Sequence, residues 1–151
     1  MEIFEYSPPQ TKLFLPLMTW GVEAGFPSPA EGQIDEALDL NDLLIDHPHA
    51  TYFVRVTGDS MRDAGIHHGD LLIVDRSKTA KAGDVVVAAL NGAFTVKRWR
   101  PIRSSSSPNR MNDVLCGGEL IAAHPNYPPI SIGPEDDFMI WGVVQYSIHR
   151  P

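Results

Sequence analysis

The run Asp84-Val-Val-Val-Ala-Ala-Leu-Asn-Gly-Ala-Phe-Thr-Val-Lys-Arg98 carries the strongest short-range structural signal in the chain. Asn91-Gly92 between two β-prone segments predicts a two-residue hairpin, because its turn needs positive φ at both central positions. With that loop Leu90 faces Ala93, and counting back along both strands sets Lys97 opposite Val86. Side chains alternate along a strand, so Lys97 shares a face with Thr95 and Trp99. An ammonium among such neighbours is poorly hydrated, and desolvation lowers a lysine pKa. Each tenfold shift toward the neutral amine costs about 1.4 kcal/mol, which burial can supply. The plain alternative is an edge lysine whose head reaches water.

Outward from the hairpin, strands are predicted at about 51–57, 70–75, 84–90, 93–99, 119–123 and 138–148, separated by Gly, Pro and Asp. Residues 71–74 and 85–90 are continuous apolar runs, the pattern of strands buried on both faces. Short strands with frequent turn signals predict a mainly β fold. The expected form is a compact twisted sheet or partly closed barrel, with one or two short helices. One helix is expected over residues 39–46, with Leu40, Leu43 and Leu44 on one face and Pro48 ending it. Residues 101–118, with four serines at 104–107 and then Pro108, read as a flexible loop. There are no internal repeats.

The chain divides into a predicted extended, mobile N-terminal arm, residues 1–38, and a β-rich domain, residues 39–151. The arm has prolines at 8, 9, 16, 27 and 29 and no sustained period. An apolar stretch from Leu13 to Val22 before Ala24 invites a signal-peptide reading. Two glutamates against one lysine ahead of it are the wrong sign for an exported leader, and the stretch is too brief to span a bilayer. A chain of 151 residues, 43% hydrophobic and 21% charged, can bury a real core. The single cysteine, Cys116, rules out an intramolecular disulfide and fits a reducing cytoplasm. Six histidines show no His-Glu-x-x-His or comparable spacing, so no metal or cofactor is expected and they read as loop residues. Of the net charge of −7, the arm holds −5. The run from Lys97 to Arg110 has five bases and no acid and reads as a solvated loop. An acidic chain without a basic stripe is not expected to bind DNA sequence-specifically on its own.

Thr57-Gly-Asp-Ser-Met-Arg62 follows the first predicted strand of the body. Gly58 releases the chain, Asp59 and Ser60 suit a helix N-cap, and Met61 to Ala64 leave room for one helical turn. A serine at such a corner lies beside unpaired backbone N–H groups, here those of Asp59 and Ser60, which suit a developing oxyanion. The same corner also serves simply to cap a turn. A serine hydroxyl needs a base to attack an amide at neutral pH, and Lys97 is the candidate.

Gly58-Asp-Ser-Met61, followed by the lysine of Phe94-Thr-Val-Lys-Arg98, resembles the self-cleaving Ser–Lys proteases of the LexA and UmuD family. The similarity extends through Asp39-Leu-Asn-Asp-Leu-Leu-Ile45, Gly69-Asp-Leu-Leu-Ile-Val-Asp75 and Ile140-Trp-Gly-Val-Val144. Upstream, Ala24-Gly-Phe-Pro-Ser-Pro-Ala30 resembles the self-cleavage segment of the UmuD branch, which implies a scissile bond at Ala24–Gly25. The resemblance implies a β-rich body and Ser60 and Lys97 as catalytic pair. It also implies a RecA filament on single-stranded DNA as trigger in the SOS response to DNA damage. The trimmed form is then a homodimer serving an error-prone UmuC-type polymerase in translesion synthesis.

Three alternatives stand beside it. A LexA-type repressor needs a DNA-binding domain, for which 38 proline-rich residues are unsuited. A membrane signal peptidase also uses a Ser–Lys pair but needs an anchor, and no membrane association is expected here. A non-enzymatic homodimeric module regulating a polymerase would keep Ser60 only as a turn cap.

Overall fold

The Asn91-Gly92 turn forms as the sequence predicts, with φ of 49° and 82° at its two residues. The strands beside it pair in the expected register, Leu90 with Ala93 and Val86 with Lys97. The computed structural model describes residues 2–8, 11–18, 34–103 and 115–151. In chain order the strands are β1 (Glu2–Glu5), β2 (Leu15–Met18), β3 (Ile34–Leu38), β4 (Thr51–Arg55), β5 (Leu71–Asp75), β6 (Val85–Leu90), β7 (Ala93–Arg103), β8 (Leu115–Ile121), β9 (Ile130–Ile132) and β10 (Phe138–Ile148). One helix, α1 (Leu40–Leu44), and two 3₁₀ turns (Pro48–Ala50 and Arg62–Ala64) complete the set. The fold is mainly β, as expected.

Eight strands make one sheet in the order β1-β4-β5-β10-β6-β7-β8-β9, and β2 pairs with β3 in a separate ribbon. Neighbours are antiparallel throughout. The last strand, β10, enters the middle of the sheet and bonds β5 on one side and β6 on the other. It carries two register shifts, between Ile140 and Gly142 and between Val144 and Tyr146. Such bulges bend a strand and increase its twist.

Curling lets the sheet enclose its own core. Val54, Val56 and Leu72 from the β4–β5 half meet Val87 and Val96 from the β6–β7 half in one buried cluster, with Met61 and Ile66. A second cluster, Val86, Ala88, Trp99, Leu120 and Val143, lies on the other side of β6–β7. Tyr6, Ile45 and Ile73 form a third. At roughly 25 cal/mol per Å² of apolar surface removed from water, these clusters are the main favourable contribution to folding.

Several boundaries differ from expectation. Residues 101–103 and 115–118, expected as loop, are strand and extend β7 and β8. Arg100, in the basic run, is paired with Glu119 across β7–β8. Within residues 1–38, expected as an extended arm, β1 is a strand of the large sheet and β2 pairs with β3. Proline at position 16 is tolerated because both strands of a two-stranded ribbon are edges. On α1 the apolar face is only partly used, since Leu40 and Leu43 are exposed and Leu44 alone packs into the third cluster. Asp39 caps this helix, accepting from the Asn41 N–H at 2.8 Å. Its other oxygen accepts from the Leu13 N–H at 2.9 Å and so ties the chain ahead of β2 to the start of α1.

His47 and His149, expected in loops, each contact a buried carboxylate. His47 Nδ1 lies 2.6 Å from Asp75 and His149 Nδ1 2.7 Å from Asp70. Among the described residues no group of histidines, cysteines and carboxylates could hold a metal ion. Nor is any described helix long and apolar enough to cross a membrane.

Candidate active site

The corner after β4 is built from residues that cannot go elsewhere. Val56 continues the β4–β5 pairing, its N–H donating to Asp70 O and its carbonyl accepting from Gly69 N–H. Gly58 then turns the chain at φ +92°, a conformation that costs a residue with a Cβ. Its N–H donates to His68 Nδ1 at 3.2 Å. Met61, 2% exposed, drives into the first core cluster and fixes the far side of the turn. Ser60 lies between these two anchors, half-buried and facing a cleft of about 290 Å³. The helical turn expected after it is the 3₁₀ turn Arg62–Ala64, ended by Gly65 at φ 76°.

Lys97 reaches the same cleft from β7. Its Nζ lies 2.8 Å from Ser60 Oγ, 2.8 Å from Thr95 Oγ1 and 3.1 Å from the carbonyl oxygen of Val96. The residue is 7% exposed, and burial holds its pKa below the ordinary lysine value. Among the described residues no carboxylate pairs with it to restore the charge. A neutral amine has two N–H groups and one lone pair. The two donors suit Thr95 Oγ1 and Val96 O, which leaves the lone pair for the Ser60 hydroxyl proton. This arrangement can activate a hydroxyl for attack on a carbonyl.

The two residues are far apart in sheet order. From β4 to β7 there are four inter-strand steps, roughly 19 Å on a flat sheet at about 4.8 Å each. Contact at 2.8 Å therefore requires the curl of the sheet together with the excursion of residues 56–60.

Asp59 faces solvent, and its carboxylate is held by groups that sequence reasoning did not find. The Tyr127 hydroxyl donates to its Oδ1 at 2.7 Å, and His124 Nε2 lies 3.6 Å from its Oδ2. The Tyr127 hydrogen bond, with His124 nearby, holds the Asp59 carboxyl below the usual carboxylate range. Tyr127 also lines the cleft, along with Phe94 and Thr95. These contacts join positions 65 and 68 residues apart, with no spacing motif to announce them. The Ser60 N–H donates to no acceptor among the described residues, and Ser60 lines the cleft. Ala24 and Gly25 lie outside the described residues.

Comparison with known proteins adds a second line of support. Residues 16–108 match the family described as peptidase S24-like. The chain is 39% identical over 149 residues to protein MucA of Salmonella typhimurium, covering 98% of this chain and 93% of that protein. It is 42% identical to protein SamA of Salmonella typhimurium, over 89% of this chain and 85% of the relative. It is also 40% identical to the LexA repressor of Delftia acidovorans, over 87% of this chain but 52% of the repressor.

Proposed function

The chain belongs to the S24-like peptidase family, and from that premise we propose that it is a self-cleaving serine endopeptidase that cuts its own arm at Ala24–Gly25. The observation that carries the reading is the buried Lys97 amine 2.8 Å from Ser60 Oγ without a carboxylate partner among the described residues. Neutral Lys97 takes the Ser60 proton as Oγ attacks the Ala24 carbonyl carbon. The resulting oxyanion is met by backbone N–H groups at Asp59 and Ser60. Lys97, now an ammonium, returns the proton to the Gly25 nitrogen as the C–N bond breaks. Water, deprotonated by the same amine, then hydrolyses the Ser60 ester and frees the Ala24 carboxylate.

One tethered bond is cut once, so the reaction acts as a switch. A RecA filament on single-stranded DNA is the proposed trigger, in the cytoplasmic SOS response to DNA damage. Residues 25–151, as a homodimer, are the proposed accessory subunit of an error-prone UmuC-type translesion polymerase.

Purified protein incubated with RecA, single-stranded DNA and nucleotide should yield a fragment beginning Gly25-Phe26-Pro27. An uncut chain that still binds a polymerase points to a non-enzymatic module, with Ser60 only capping its turn. The pH profile tests the base. Because burial lowers the Lys97 pKa, the neutral fraction rises with pH about a midpoint below the ordinary lysine value of about 10.4. RecA-independent cleavage should follow that curve, faster at pH 9 than at pH 7. A flat profile removes lysine as the base.

A further inference from the structure

The N-terminal strand occupies an edge of the large sheet that the body does not itself cover. β4 is paired to β5 along one side, and among the described residues β1 alone lies on the other. Their register runs from Glu2↔Arg55 to Glu5↔Tyr52, and the Tyr6 N–H extends it by donating to Thr51 O at 3.0 Å. Ile3 packs against the first core cluster. Tyr6, 9% exposed, fills a hollow beside Ile45 with its ring edge-on to Phe53 at 5.7 Å. Its hydroxyl donates to Asn41 Oδ1 at 3.2 Å, and Glu2 Oε2 lies 3.8 Å from Arg55 Nε. All of these contacts belong to residues ahead of Ala24.

We propose that this β4 edge is a docking site for an extended segment of a partner protein, and that residues 2–6 of the chain occlude it until the arm is cut. The proposal rests on the cleavage at Ala24–Gly25 set out above. Covalent connection holds the strand near its edge at an effective concentration far above that of a free fragment. The cut reduces that to the free concentration of the fragment, whose remaining holds are two four-residue strands, β1 on β4 and β2 on β3, and such short pairings are marginal on their own in water. The vacated edge then offers unpaired backbone groups beside an apolar hollow, the combination that captures an extended peptide. The seated strand shows which peptide fits. It has an acid to face Arg55, an aliphatic residue next to cover the core, and an aromatic three positions later for the hollow. A partner segment with that pattern competes with nothing once the fragment has diffused away.

The probe is a fluorescein-labelled peptide of residues 2–8, Glu-Ile-Phe-Glu-Tyr-Ser-Pro, followed by anisotropy. Self-cleaved protein, freed of its fragment by gel filtration, should bind it at least tenfold more tightly than the uncut chain does. An uncut chain carrying Ile3→Asp and Tyr6→Ala should also bind it at least tenfold more tightly than wild type, with no cleavage needed. Binding to that variant, together with failure of the wild-type chain to yield any Gly25 fragment when incubated with RecA, would sustain the docking site while sinking the cleavage reading. Alanine in place of tyrosine in the peptide should cost at least tenfold. Equal affinity of cut, uncut and variant chains, or no loss with the alanine peptide, overturns the proposal. Self-association of the cut chain without peptide uptake assigns the edge to a second copy and overturns it as well. Hydrogen exchange at the β1-facing amides of residues 51–55 checks the same point without a variant. It should quicken at least tenfold after cleavage, and unchanged exchange counts against occlusion.

Discussion

Ser60→Ala leaves the chain folded and eliminates the fragment that begins at Gly25. The side chain is half-buried, makes one side-chain hydrogen bond among the described residues, with Lys97, and belongs to none of the three core clusters, so its loss opens no cavity in them. Removing a nucleophile in a serine peptidase lowers turnover by on the order of 10⁶, which for a single slow bond means no product. Lys97→Met removes the base at similar volume and should slow cleavage by roughly 10²–10⁴. The two variants part company in stability. Burial holds the Lys97 pKa below its unfolded value, so folding is opposed wherever the unfolded lysine is charged. That penalty is complete below the folded pKa and fades as pH rises toward the ordinary lysine value. Lys97→Met should accordingly melt higher than wild type at neutral pH, with the gain shrinking at high pH. N-terminal sequencing and a melting series over pH read both effects. Cleavage by either variant at the wild-type rate, or a Lys97→Met chain less stable than wild type at neutral pH, contradicts the assignment.

Leu120→Ala should destabilise the fold by about 2–5 kcal/mol. Leu120 is 0% exposed and is paired in register with Trp99, in the cluster completed by Val86, Ala88 and Val143. Truncation removes the transfer free energy of the lost carbons and leaves a cavity that these four neighbours, all fixed on strands, can close only in part. Against a typical total of about 5–15 kcal/mol, that is a large fraction. For a chain of this size it lowers the melting temperature by roughly 5–20 °C. Leu120→Met, which conserves volume, should cost under about 1.5 kcal/mol. Chemical denaturation of both variants measures the difference. A Leu120→Ala cost below about 1 kcal/mol means the second cluster is loosely packed.

Strand identity was most legible where the signal is local. Residues 71–74 and 85–90 are continuous apolar runs, and residues 93–99 follow a turn whose chemistry admits one geometry; all of these form strands. β1, β2, β3 and β9 are three to five residues long, too short for a period to declare itself. They are strands because a neighbour offers an edge, which is a tertiary cause. Residues 101–103 and 115–118 show the same override, since a serine-rich stretch between them reads as loop while their backbone groups complete the β7–β8 ladder. The hold of Tyr127 and His124 on Asp59 was invisible because a hydrogen bond across 65 or more residues imposes no spacing.

By itself the sequence determined the local half of the site. Two-residue loop geometry places Lys97 across from Val86, and glycine at position 58 permits the sharp corner that presents Ser60. Both follow from backbone sterics within a few residues. Only the folded chain decided that the two should touch. β10 enters between β5 and β6, and its two bulges accompany the curl of a sheet on which β4 and β7 would otherwise stand roughly 19 Å apart. Alternation along a strand specifies which face a side chain takes, but the choice of neighbouring strand is made by burial summed over the whole molecule.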